Sequence, residues 1–293
     1  MNKRILLISG DHLGIRYDQI DYPNIEFLKY PIFVDDKEYR ENDEYTGEWL
    51  MDKYIIENVV ARSSTLVKSE LIDIIEKHRD NFDLIVHVLM SGKMSSATFL
   101  MAEHVKKTYE KIIPIINIDT KQAVSGIGVV LLRIIELLKK HEDKDDITRL
   151  SDEIVNNTFS YFVMPDLKYL HRGGRIGKAK ALMGSMLRII PLVGIMGDDK
   201  DDGIIIPLGK GRIFEQVNSQ IVSIIVEKMA EKSAGEVKLM NIVNLTDNPK
   251  GFSDLKEKLE KSISSEKTII GELHLVESVY VGPKAYCVSI CLK

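Results

Sequence analysis

Three features of the sequence predict an α/β fold of two units, a mostly parallel sheet in the N-terminal part and a mixed sheet in the C-terminal part. Compact β-branched runs alternate with helix-period segments from end to end, the pattern of layered α/β proteins. A composition break falls near residue 160, where a strand-like run gives way to a basic, glycine-rich stretch over 168–180. The length, 293 residues, fits two domains, placed at 1–160 and 161–293.

In the first unit, residues 4–9 (RILLIS), 83–90 (DLIVHVLM) and 112–118 (IIPIINI) read as buried strands, each compact, β-branched and bounded by polar or turn residues. Helical spacing places Leu71, Ile72, Ile74 and Ile75 on a helix from Ser69 to Arg79, and Phe99, Leu100, Met101, Ala102 and Val105 on one from Ser95 to Tyr109. A third helix runs from Gly126 to Lys140. A solvated connection over 139–149 leads into a fourth, Asp146 to Thr158.

The second unit opens with a strand at Tyr161 to Met164. A helix from about Lys178 to Arg188, a turn-rich insert from Gly197 to Gly203, a strand at Ile204 to Leu208 and a helix from Phe214 to Lys232 follow. Strands are predicted at 238–243, 268–278 and 286–292, with a helix at Ser253 to Ser264. The last two strands read as a pair around Gly282-Pro283, which supplies the antiparallel component.

Composition narrows the function. The chain is 44% hydrophobic and 29% charged, with a net charge of −4, so no global field attracts phosphate backbones or anionic lipid. No local basic patch compensates, and no nucleic-acid partner is expected. The N-terminal apolar run is too short for a signal-peptide core, and the longest apolar stretch, Ile127 to Leu138, contains Arg133 and Glu136. A cytoplasmic protein without membrane insertion is expected. Cys287 and Cys291 share one face of a strand, too far apart to bridge, and read as free thiols.

Two hydroxyl clusters stand ahead of predicted helices. Ser63-Ser64-Thr65 precedes the first, and Ser91-Gly92-Lys93-Met94-Ser95-Ser96 links a strand to the second, where ligands bind in open α/β sheets. Such hydroxyls cap helices or, with the free N–H groups, hold a carboxylate or phosphate. No nucleotide-phosphate loop, nucleophile elbow, zinc-protease motif or Cys-x-x-Cys accompanies them. Gly126-Ile127-Gly128 lacks the third glycine of a dinucleotide fingerprint and reads as tight helix packing. The seven histidines are scattered, His87 mid-strand, so neither a metal nor any other cofactor is expected. Tyr169-Leu170-His171-Arg172-Gly173-Gly174-Arg175 is either a phosphate approach or a tight turn with solvated charges. The segment Ala181 to Leu187 that follows is apolar nearly all round and reads as buried, in plain core or against an apolar ligand. Methionines, among them Met183 and Met186, concentrate near this helix and the serine loops, where flexible thioethers fill core or adapt to a long chain.

The order of these pieces resembles the DegV family of fatty-acid-binding proteins. The resemblance rests most on Tyr169-Leu170-x-x-Gly173-Gly174-Arg175-Ile176-Gly177-Lys178-x-Lys180-Ala181-Leu182-x-Gly184-Ser185-x-Leu187-x-Ile189-x-Pro191. Further matches are Asp119-Thr120-Lys121-Gln122-Ala123-x-Ser125-Gly126-x-Gly128, Asp202-Gly203 before Lys210-x-Arg212, and Tyr280-Val281-Gly282-Pro283-x-Ala285. It covers essentially the whole chain. It implies a non-catalytic protein that binds a long-chain fatty acid between its two units and presents the carboxylate to a fatty acid kinase subunit, which forms the acyl phosphate for phospholipid metabolism. The implied head-group ligands are Ser63 and Ser95, with Ser64, Ser96, Arg212 and Tyr280, and the implied cavity or lid residues are Gly173, Gly174, Arg175, Leu182, Met183 and Met186. The sequence departs from the family pattern in several places: Ser9-Gly10-Asp11 replaces the usual Thr-Asp-Ser, Thr65-Leu66 a Gln-Pro, Ser96-Ala97 a Gly-Thr, and Tyr280 a histidine. A phenol donates a hydrogen bond without bringing a cation. The residues leave open an alternative, an independent enzyme or a sensor for another anionic lipid or small molecule.

Overall fold

β1 (Ile5–Gly10) is buried along its whole length, with Leu6 and Ile8 in one apolar cluster and Ile5 and Leu7 in another. Such a strand needs a layer on each face. It lies inside a four-stranded parallel sheet with β2 (Ile25–Leu28), β6 (Leu84–Leu89) and β7 (Ile115–Asp119), in the order β2-β1-β6-β7. Between β2 and β6 the chain forms β3 (Ile32–Val34), β4 (Lys37–Tyr39), α1 (Gly47–Ile56), β5 (Ala61–Ser63) and α2 (Lys68–His78). The three short strands make a small antiparallel sheet, β4-β3-β5. The computed structural model describes residues 3–140, 143–198, 203–244 and 249–292, without the side chains of 184–188 and 249. His141, Glu142, Asp202 and the Met186 side chain therefore lie outside the described residues.

Three helices follow the parallel strands: α3 (Ser96–Tyr109), α4 (Ser125–Leu138) and α5 (Lys144–Asn156). Nearly every residue of α4 is buried, because it packs against β6 of the first sheet and β8 (Thr158–Val163), β11 (Leu239–Asn244) and β13 (Tyr286–Cys291) of the second. Its two glycines permit this. A Cβ on Gly128 would run into the Leu13 carbonyl, and one on Gly126 into Ser160 on β8. A buried hydrogen-bond chain ties the helix start to the second sheet: Ser125 Oγ to Ser289 Oγ (2.6 Å), Ser289 Oγ to Ser160 Oγ (2.7 Å), and Ser160 Oγ donating to Gln122 Oε1 (2.7 Å).

The second sheet also holds β9 (Ile190–Met196), β10 (Ile206–Gly211) and β12 (Thr268–Gly271), in the order β10-β9-β8-β13-β11-β12. All its pairs are antiparallel except β11 with β12. One face packs on α7 (Phe214–Glu231) and α8 (Pro249–Ser262) through Phe159, Tyr161, Val217, Ile221, Leu255 and Tyr286. The other face, through Phe162, Val193, Ile195 and Cys287, looks toward the first sheet. Cys287 and Cys291 are buried free thiols.

Two sequence expectations are corrected here. The predicted strand at 268–278 ends at Gly271 and pairs in parallel with β11, not with β13. Leu275–Val281 is instead a helix, α9, started where the Glu277 side chain reaches back to accept from the His274 N–H (3.0 Å) and stopped by Gly282 at φ 67°. The segment Gly177–Arg188 is a run of 3-10 turns rather than a buried α-helix: Lys178, Lys180 and Ala181 are exposed, and Leu182 and Met183 half-buried. Gly177, at φ 55°, lets the Ile205 carbonyl approach, and the Lys178 N–H donates to that carbonyl (2.9 Å). Gly184 and Ser185 further weaken α-helical preference. Neither β9 nor the short α6 (Lys168–Arg172) is predicted from periodicity.

Candidate functional site

The two serine loops meet at one cavity. Ser63 closes β5, and Ser64 and Thr65 continue from it; Ser95 occupies the position before α3. Neither serine is spent as a helix cap. Three residues separate Ser63 from Val67, which precedes α2, and Ser95 makes no side-chain cap bond. The second loop is braced from below. Asp119 accepts from the Gly92 N–H (3.1 Å), the Gln122 carbonyl accepts from the Ser91 N–H (2.9 Å), and Ser91 Oγ donates to the Gly203 carbonyl (2.7 Å).

Ser63, Ser64, Thr65, Ser95, Arg175 and Tyr280 supply most of the polar wall of the cavity, which encloses about 770 Å³ of atom-free space counting its open mouth. Met90, Met94, Ala123, Val124, Phe162, Met164, Leu170, Ile195, Ile205, Val276 and Val281 make the rest of the wall predominantly apolar. Apolar walls with a few convergent polar groups are the usual form of a small-molecule site. Val124 adopts φ 53°, a conformation that strains a β-branched residue by about 1–3 kcal/mol and is commonest where function fixes the backbone.

The glycine-arginine segment builds the mouth. Tyr280 Oη and Ser63 Oγ share a 2.5 Å hydrogen bond. Any side chain on Gly173 would strike the Tyr280 ring, and the Arg175 guanidinium lies 5.6 Å from that ring's centroid. Arg175 Nε donates to the Met94 carbonyl (3.2 Å) and Nη1 to the Gly173 carbonyl (2.6 Å), so the segment bridges α9 and the second serine loop. Gly174 takes φ 70° within this turn. Of the predicted residues, Ser63, Ser64, Ser95, Arg175 and Tyr280 line one cavity. Ser96, exposed as the first residue of α3, does not line it. Nor does Arg212, which is exposed just past the end of edge strand β10 with its N–H donating to Gln216 (2.9 Å). The arginine on the wall is Arg175. Leu182 and Met183 pack on the apolar cluster that contains Leu170, Ile205 and Val276, behind the wall.

His12, Tyr30 and Glu277 also line the cavity, and sequence reasoning did not find them. They belong to a buried polar group at the C-terminal end of β1. The rings of His12 and Tyr30 meet edge to face at 4.7 Å. Asp11 accepts from the Tyr30 N–H (3.3 Å), and burial, with the Glu41 charge, raises its carboxyl to about 7. Burial pushes His12 down to about 3, and the His274 charge adds to it. Burial raises Glu277 to about 8 against the opposing pull of His274. Burial alone would lower His274, but its hydrogen bond to Glu41 and the charges of Glu277 and Glu41 raise it to about 10.

The family model described as "Uncharacterised protein, DegV family" matches residues 12–293. The chain belongs to the DegV family. A DegV domain-containing protein of Clostridium perfringens is 24% identical over 284 residues, 96% of each chain. A solved DegV family protein of Thermus thermophilus, described by its fatty acid binding, superposes with a TM-score of 0.88 at 20% identity, over 99% of this chain and 100% of that one. DegV of Bacillus subtilis, described as a fatty acid binding protein, superposes with a TM-score of 0.84 at 20% identity, over 99% and 100%. The DegV fold, a parallel sheet in the N-terminal part and a mixed one in the C-terminal part, is thus established for this chain. Among the described residues no helix is long and apolar enough to cross a membrane.

Proposed function

We propose that this protein binds a long-chain fatty acid, its tail along the apolar wall and its carboxylate at Ser63, Ser95, Tyr280 and Arg175, without catalysing a reaction itself. The observation that carries this reading is the mouth: hydroxyls from three separate chain segments and one guanidinium converge on a cavity whose remaining wall is mostly apolar. The fatty acid binding described for solved DegV neighbours supports it. At about 0.8 kcal/mol per buried CH₂, a dozen methylenes supply a gross ~10 kcal/mol, from which association and ordering remove several. The carboxylate still needs donors, since stripping it of water without them is costly.

A carboxylate at the cavity mouth can be handed to a partner, and we take that partner to be an ATP-dependent fatty acid kinase that forms the acyl phosphate. Denaturing the purified protein in organic solvent and identifying the released molecule by mass spectrometry should yield near-stoichiometric fatty acid. No ligand and no uptake of added fatty acid would overturn the reading. Acyl phosphate should form only when kinase is added; its formation by this chain with ATP alone would make the protein an enzyme.

Ser63→Ala and Ser95→Ala should each weaken fatty acid binding by about 1–3 kcal/mol, the range for losing a hydrogen bond to a charged group. Because neither hydroxyl caps a helix, the melting temperature should hardly move. Unchanged affinity in both variants would move the head group elsewhere.

A further inference from the structure

A plain hydrocarbon tail leaves part of this cavity wall unexplained. His12 Nδ1, His12 Nε2 and Glu277 Oε1 are buried and have no hydrogen-bond partner among the described residues, yet both residues line the same cavity. Buried polar atoms without partners are rare and each is destabilising. Local structure accounts for only part of Glu277: its Oε2 accepts from the His274 N–H (3.0 Å) at the start of α9, while Oε1 is left over. The His12 imidazole has been given room, since any side chain on Gly10 would strike it.

We propose that the cavity selects a fatty acid whose chain carries a hydroxyl group, and that His12 and Glu277 bind that oxygen. The inference rests on the fatty-acid reading above. A hydroxyl both donates and accepts, so one such group can answer an imidazole and a carboxyl together. Burial favours the uncharged forms, with Glu277 held up at about 8 and His12 down at about 3, so near neutral pH the pair offers a carboxyl O–H and a neutral imidazole. A second carboxylate or an ammonium group placed there would lose its hydration without a compensating charge. An uncharged oxygen loses nothing comparable.

The test compares stearic acid with the positional isomers of monohydroxystearic acid, by displacement of a fluorescent fatty acid from the delipidated protein. At least one isomer should bind about tenfold more tightly than stearic acid, the gain from satisfying otherwise unpaired groups. His12→Leu should move the two affinities in opposite directions, tighter for stearic acid and weaker for the preferred isomer, which a loss of fold would not do. Glu277→Gln keeps an acceptor for the His274 N–H and a donor for the ligand, and should retain the preference; Glu277→Leu should lose it. If stearic acid binds and no isomer binds better, or if His12→Leu leaves the preference intact, this inference fails alone. If no fatty acid binds at all, the fatty-acid reading falls with it.

Discussion

Replacing His274 by leucine should destabilise the protein by about 3–5 kcal/mol, the range for stranding one member of a buried ion pair, and lower its melting temperature by roughly 10 °C. His274 is buried, with Nδ1 2.5 Å from Glu41 Oε1 and Nε2 2.8 Å from the Ile15 carbonyl, and Glu41 also accepts from the Leu275 N–H (2.7 Å). Leucine would leave Glu41 with that backbone donor alone. The variant with Glu41→Gln added should lose much less than the sum of the two single changes, because the second removes the stranded charge. The same contacts set a pH dependence. His274 is raised from its ordinary 6.5 to about 10, so the stability it contributes is fully present below pH 6.5 and is lost as pH rises toward 10. Glu277, raised to about 8, acts in the same direction, since the folded state resists its ionisation between its ordinary 4.5 and about 8. Melting temperatures should therefore fall from pH 6.5 to 10, and less steeply in His274→Leu. A flat profile in the parent protein would show that His274 is not charged in the fold. Because α9 carries both Glu277 and Tyr280, loosening its start should also weaken ligand binding.

The parts of the fold that were legible in the sequence are those whose burial is uniform. β1 and β6 are buried along their whole length, and α4 is apolar nearly all round, so composition alone separates them from their neighbours. The β3–β5 sheet was not, because three residues show no period. α9 misled for a different reason. Leu275 and Val276 read as the end of a strand, and the signals that make Leu275–Val281 helical are a histidine at the helix start, where serine or threonine is expected, and a glycine already assigned to a turn. At the site, the two serine clusters were legible from their place ahead of helices, while the choice of Ser63 and Ser95 within them, and Tyr280, came from the family resemblance. Which arginine reaches the cavity depends on where β10 and the glycine turn end, and neither follows from spacing. His12 and Glu277 lie near opposite ends of the chain, and they share one wall only because the start of α9 docks on the segment after β1, where His274 Nε2 meets the Ile15 carbonyl at 2.8 Å.

Ala123→Phe should reduce the affinity for a long-chain fatty acid by about 3–5 kcal/mol, more than a hundredfold, while leaving the fold intact. Ala123 is the smallest apolar side chain on the wall, and a phenyl ring there would project into space the tail needs. Excluding about half a dozen methylenes, at about 0.8 kcal/mol each, accounts for the magnitude. The loss should grow with chain length, since a short acid that stops before the ring keeps both its head-group bonds and its buried methylenes. Head-group variants behave otherwise: Ser63→Ala and Ser95→Ala remove the same bond from every acid and should weaken all chain lengths by a similar factor. Isothermal titration across a series of saturated acids separates the two patterns. A uniform loss in Ala123→Phe would place Ala123 beside the carboxylate, and no loss would place the tail outside this cavity. The added ring fills an existing void, so its melting temperature without ligand should match or exceed that of the parent.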